Sequence, residues 1–188
     1  MALTSINPAT EEVLGTFPEL TEEQLAAKLA LAEAAYKIWS QTPLEVRLAP
    51  MKRLGELFRE RAPELGKIAS LEMGKPITQA IAEVEKCGLA CDYYAEQVSN
   101  ILAPQSVKSD ASESFVRFDP IGVVLAVMPW NFPYWQVMRF AAPALAAGNV
   151  GVLKHASSVP QCAVAFEKLF LEAGFPEGVF QNLAIGSS

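Results

Sequence analysis

Short apolar runs over Ile121 to Met128, Val150 to Leu153 and Val179 to Leu183, separated by helical stretches over Tyr134 to Ala147 and Val159 to Ala173, predict an α/β fold with a doubly wound parallel sheet. Two further observations support that class. The runs are apolar at odd and even positions alike, as parallel strands are when helices cover both faces, and each strand-helix-strand passage suits a right-handed crossover. Ahead of them, residues 21 to 102 carry apolar side chains at spacings of three and four, which places a mostly helical segment before the sheet.

Residues 1 to 20 are punctuated by Asn7-Pro8, Gly15 and Pro18 and read as irregular or short extended structure. Thr21-Glu22-Glu23-Gln24 matches a capping box, and Leu25, Leu29, Ala32, Tyr36 and Trp39 then form one stripe until Thr42-Pro43 ends the helix. A second helix is expected over Glu45 to Ala62, burying Leu48, Met51, Leu54 and Phe58 and stopping at Pro63. A third runs over Leu65 to Met73 and ends at Gly74. The longest, Thr78 to Leu102, turns Ile81, Val84, Cys91 and Val98 inward. Residues 103 to 119 are polar and Ser-rich like a linker, but their end, Phe115-Val116-Arg117-Phe118, favours exposed strand. The expected organisation is a helical part over 1–102, a β-arm over 103–119 and a βαβαβ part over 120–188.

A chain of 188 residues is long enough to bury one core, and 51% hydrophobic with 19% charged residues is ordinary for a soluble chain. No apolar run approaches the roughly 20 residues a bilayer span needs, so no membrane partner is expected. The N-terminus lacks a basic segment followed by an apolar one, which makes a cytoplasmic location the expectation. A net charge of −6 without a basic stripe argues against a nucleic-acid partner. Cys87 and Cys91 lie four apart on a helix and Cys162 stands alone, so no metal site is expected. The three cysteines read as small buried hydrophobes, with a helical redox disulfide as the alternative.

The run Pro129-Trp130-Asn131-Phe132-Pro133 directly follows the first apolar strand, at the strand-to-helix turn where open α/β sheets hold ligands. Pro133 suits a first helical turn. Asn131 admits two readings: a plain helix cap through its carbonyl oxygen, or an amide whose NH2 group meets charge developing on a substrate oxygen. Lys154 ends an apolar strand, where a charge marks either the exit into solvent or a donor to ribose or phosphate. Arg139 stands eight residues after Asn131 on the same helix. It is either a surface cation or, with Trp135 and Ala142 at helical spacing, part of a half-buried face that needs an anionic partner. No Gly-x-Gly-x-x-Gly run follows the first strand.

The Pro129 to Pro133 run resembles one in the aldehyde dehydrogenase family. Asn7-Pro8-Ala9-Thr10, Glu72-Met73-Gly74-Lys75-Pro76, Ala146-Ala147-Gly148-Asn149, Lys154-His155-Ala156-Ser157 and Ala173-Gly174-Phe175-Pro176-Glu177-Gly178-Val179 are also similar to family motifs, in family order. The resemblance implies an incomplete Rossmann-like cofactor domain, with residues 103–119 as an oligomerisation arm that makes the protein a homo-oligomer. It implies a small-molecule aldehyde as substrate, oxidised by thiolate attack, hydride transfer to a nicotinamide and glutamate-assisted hydrolysis. Asn131 becomes the oxyanion donor. Trp130, Asn131, Lys154, His155, Ala156 and Ser157 lie along the cofactor. Arg139 resembles the arginine with which succinic semialdehyde oxidising members grip the far carboxylate, with Phe132 and Trp135 lining the aldehyde tunnel or simply packed in the core. Ser157 stands where many NAD-using members carry a glutamate that would repel a 2′-phosphate, so NADP is expected, with NAD as the alternative.

The family's nucleophilic cysteine, general-base glutamate and Gly-rich turn lie beyond the region matched. The chain alone is therefore expected to be inactive, and its last strand to leave an exposed sheet edge. The competing expectation is a truncated, noncatalytic relative that binds nucleotide or a partner subunit.

Overall fold

The computed structural model describes residues 2–186. The first twenty residues are more regular than expected, because β1 (Ala2–Ile6) and β2 (Val13–Pro18) pair as an antiparallel hairpin. Asn7 builds its turn: the side-chain oxygen accepts from Ala9 N–H, and the main-chain oxygen accepts from Glu11 N–H.

Helix α1 (Glu22–Trp39) starts with the expected capping box, in which Gln24 N–H donates to Thr21 Oγ1 at 3.2 Å and Thr21 N–H donates to Gln24 Oε1 at 2.9 Å. Its buried stripe is Ala32, Ala35 and Trp39; Leu29, expected on that stripe, is exposed. Helices α2 (Leu44–Glu60), α3 (Ala62–Met73) and α4 (Ile77–Ile101) form a separate layer. The chain breaks at Arg61 rather than at Pro63, which occupies the first turn of α3, where a missing N–H leaves nothing unpaired. Helices α2 and α4 meet backbone to backbone: a Cβ on Gly88 would lie 3.0 Å from Gly55 O, and one on Gly55 would lie 3.1 Å from Cys91 Cβ. Only glycine fits at that crossing.

Residues 103–119 carry two short strands, β3 (Gln105–Ser106) and β4 (Phe115–Val116), which pair antiparallel and leave Val107, Phe115, Val116 and Phe118 exposed.

The main sheet is parallel, ordered β5 (Val123–Met128), β6 (Val150–His155), β7 (Phe180–Asn182), with α5 (Trp135–Ala146) and α6 (Pro160–Glu172) as its crossovers. Strand β6 runs two residues past the expected end, so Lys154 and His155 lie on it. One sheet face packs on α5 and α6: Phe140 reaches Gly151, and Phe180 stacks on Phe170 at 4.1 Å between centroids. The opposite face packs on α1, where Gln181 Nε2 donates to Lys28 O at 2.8 Å. Helices α2, α3 and α4 then cover α5 and α6, with Phe58 and Tyr134 both against Phe166.

The two edges of the sheet reverse the expectation. Strand β7, expected to be bare, is buried throughout, and the outward N–H of Asn182 donates to Glu167 Oε1 at 3.2 Å, with Lys28 paired to that same carboxylate. Strand β5, expected to be apolar and covered on both faces, is the open edge and leaves Val123, Leu125 and Val127 37%, 58% and 66% exposed on the α1 side. Among the described residues no helix is long and apolar enough to cross a membrane.

Candidate active site

The turn from Pro129 to Tyr134 joins the carboxyl end of β5 to α5, and its shape is imposed from below by a buried carboxylate. Glu83, 4% exposed on α4, accepts at Oε1 from Tyr134 N–H at 2.8 Å and from Trp135 N–H at 2.9 Å. It thereby caps two of the donors that every helix start leaves unpaired, and places negative charge at the positive end of the helix dipole. Its other oxygen pairs with Lys75, 8% exposed just after α3. The Lys75 ammonium sits 3.7 Å from the centre of the Phe132 ring and 3.4 Å from Asn131 O.

Because Glu83 caps α5, Asn131 does not. Its side chain is exposed and has no hydrogen-bond partner among the described residues, so the cap reading fails and the amide stays unspent. The cap expected of Asn131 is supplied by Glu83.

His155 holds the same turn from the neighbouring strand. It is 4% exposed; Nδ1 accepts from Ala156 N–H at 2.8 Å, which leaves Nε2 to donate to Pro133 O at 2.9 Å. Burial lowers its pKa and favours the neutral ring. Both ring nitrogens are thus committed, and Ala156 O also accepts from Val159 N–H at 3.1 Å. Of the Lys154 to Ser157 run expected along a cofactor, this leaves the side chains of Lys154 and Ser157 as the unspent groups, both half-buried at the carboxyl end of β6, where Lys154 pairs in register with Val127 of β5. Lys154 carries no ion-pair partner among the described residues. Trp130 is 53% exposed over a cleft of about 470 Å³ shared with Ile6, Met73 and Ser158.

Arg139 is exposed on α5 and donates only to Gln136 Oε1, at 3.4 Å. The expected half-buried position is not found, and among the described residues no carboxylate pairs with Arg139. Phe132 and Trp135 do share a groove, of about 300 Å³, with Lys75, Gln79 and Lys86. The Lys86 ammonium lies 4.0 Å from the centre of the Trp135 ring.

Three buried charges beside the starts of α5 and α6 escaped the sequence reading. Glu83 falls in phase with Ala80, Val84 and Cys87 on the apolar stripe of α4, and a carboxylate on a buried stripe demands partners. Glu72 and Lys75 belong to the Glu72 to Pro76 motif, which pointed to the family without revealing their work. Glu72, 2% exposed, caps α6: Gln161 N–H donates to Oε1 at 2.7 Å and Cys162 N–H to Oε2 at 2.9 Å. Burial raises the Glu72 pKa, and the two N–H groups pull it back down. The three cysteines are free, buried and held as thiols, since burial pushes each pKa up.

Comparison with known proteins agrees with this arrangement. The model of the aldehyde dehydrogenase family matches residues 1–188. A probable succinate-semialdehyde dehydrogenase [NADP(+)] of Synechocystis sp. is 50% identical over 186 residues, covering 99% of this chain and 41% of that protein. Succinate-semialdehyde dehydrogenase [NADP(+)] 1 of Mycobacterium tuberculosis is 43% identical over 190 residues, covering 100% of this chain and 42% of its own length. Among solved structures, succinic semialdehyde dehydrogenase from Streptococcus pyogenes in complex with NADP+ superposes with a TM-score of 0.96 at 40% identity, over 99% of this chain and 41% of that one. The chain thus spans about two fifths of the length of these relatives. With its motifs in order, its parallel sheet and the Asn131 turn at the sheet's carboxyl rim, the chain belongs to the aldehyde dehydrogenase family.

Proposed function

We propose that the chain is the N-terminal part of an NADP-preferring aldehyde dehydrogenase that oxidises succinic semialdehyde, or a similar carboxylate-bearing aldehyde, to the acid. The observation that carries the reading is the Asn131 amide, exposed and without a hydrogen-bond partner among the described residues, on a turn fixed by Glu83 and His155. A donor that needs no reorganisation is what a developing oxyanion requires.

The residues at the rim fit a dinucleotide phosphate. Lys154 offers an ammonium with no ion-pair partner among the described residues, Ser157 offers a hydroxyl, and no carboxylate occupies position 157. When bound, the nicotinamide supplies the hydride acceptor. This chain's residues hold its adenosine end through Lys154 and Ser157 and stabilise the substrate oxygen through Asn131. Arg139 and the groove of Phe132 and Trp135 receive the aldehyde's tail. The nucleophile is not one of Cys87, Cys91 or Cys162, all buried thiols, so the 188-residue chain by itself shows no turnover. Residues 103–119 serve as the arm through which copies associate, with exposed Phe115, Val116 and Phe118 as the contact surface.

In the enzyme that includes this chain, Asn131→Ala lowers kcat by about 100- to 1000-fold and leaves NADP affinity unchanged; equal turnover removes Asn131 from the chemistry. Ser157→Glu shifts the kcat/KM ratio from NADP towards NAD, and an unchanged ratio assigns the preference elsewhere. The second reading, a noncatalytic relative, is favoured by the burial of all three thiols. It is distinguished by NADP binding to the chain with no oxidation under any completion of the sequence.

A further inference from the structure

The groove between α4 and the first turn of α5 contains a cation that nothing so far employs. Its lining side chains include Lys75, Glu83 and Lys86 beside Phe132 and Trp135. Lys75 and Glu83 neutralise one another as a buried pair. Lys86 has no such partner: among the described residues no carboxylate pairs with its ammonium, which rests over the Trp135 ring at 4.0 Å. The groove therefore carries one net positive charge, held against an aromatic wall that fixes its position. Trp135 meets the Lys86 ammonium from α4, and on its own helix Arg139 follows it by one turn, as a second exposed cation.

We infer that Lys86 is a specificity-determining residue that draws the negative end of a carboxylate-bearing aldehyde into this groove, acting with Arg139. The inference rests on the proposed aldehyde dehydrogenase reading and adds a second charge to its substrate site. A fixed cation in the groove discriminates against neutral aldehydes of the same length, because an uncharged tail gains nothing from it. The stem of Lys86 is exposed, so truncating its charge leaves the α4 core intact.

The test is steady-state kinetics of the enzyme containing this chain, with succinic semialdehyde and butanal as paired substrates. Lys86→Met is expected to lower kcat/KM for succinic semialdehyde by about tenfold through KM, with butanal unchanged, and Lys86→Arg to restore most of the loss. Lys86→Glu should lower it further. Parallel losses for both aldehydes, or no loss for either, overturn the inference while the wild-type preference for succinic semialdehyde keeps the reading of the site. A wild-type enzyme that oxidises butanal as well as succinic semialdehyde overturns the substrate reading itself, and Lys86's role with it.

Discussion

The two helices that return from the sheet, α5 and α6, both begin on a buried glutamate from the helical layer, yet among the described residues only one of those carboxylates has a counter-ion. At α6, Glu72 spends one oxygen on each of two N–H donors and meets no cation. At α5, Glu83 spends a single oxygen on both donors and gives the other to Lys75, which also reaches Phe132 and Asn131 O. A glutamate cap suffices to start a helix. The added lysine orders the turn in front of it, and that turn carries the Asn131 amide. The difference separates a cap that only starts a helix from one that also holds the preceding turn in place.

Removing Glu83 breaks this comparison hardest. Glu83→Ala uncaps α5 and strands the Lys75 ammonium, so urea denaturation should show a loss of about 3–5 kcal/mol, the range for one-sided deletion of a buried pair. Glu72→Ala deprives two N–H donors of their acceptor but strands no charge, and should cost about 1–3 kcal/mol. Equal losses would erase the distinction between the two caps. The smallest effect is a pH dependence confined to Glu72. Its folded pKa is raised by burial, so the stability it contributes is full below the ordinary carboxylate value of about 4.3 and falls as pH climbs through the raised value. Glu72→Gln abolishes that titration and should therefore gain on the wild type as pH rises across the window; denaturation curves that stay a constant distance apart would place the proton elsewhere.

Much of the fold was legible because periodicity reports burial. The α4 stripe and the alternation of sheet strands with α5 and α6 appear in the structure within a residue or two. The failures have particular causes. Lys154 looked like a strand end because charge normally marks an exit, but β6 continues to His155, whose ring is tied to Pro133 O. Pro63 looked like a stop because proline breaks helix interiors, whereas it begins one here. Arg139 looked half-buried from its neighbours Trp135 and Ala142, but its side chain is exposed and reaches Gln136 on its own helix. The site divides in the same way. The Asn131 turn could be located from a strand, a proline and an amide in sequence. The residues that hold it, Glu83 and Lys75, lie about fifty residues earlier, and only tertiary contact joins them to it.

The sealed β7 edge and the open β5 edge give the sheet a direction of growth. Glu167, paired with Lys28, takes the outward N–H of Asn182 on β7, whereas β5 leaves its outer edge open to a strand that lengthens this sheet. A parallel newcomer there would end beside Asn131, turning the rim on which the amide now stands into one wall of a crevice.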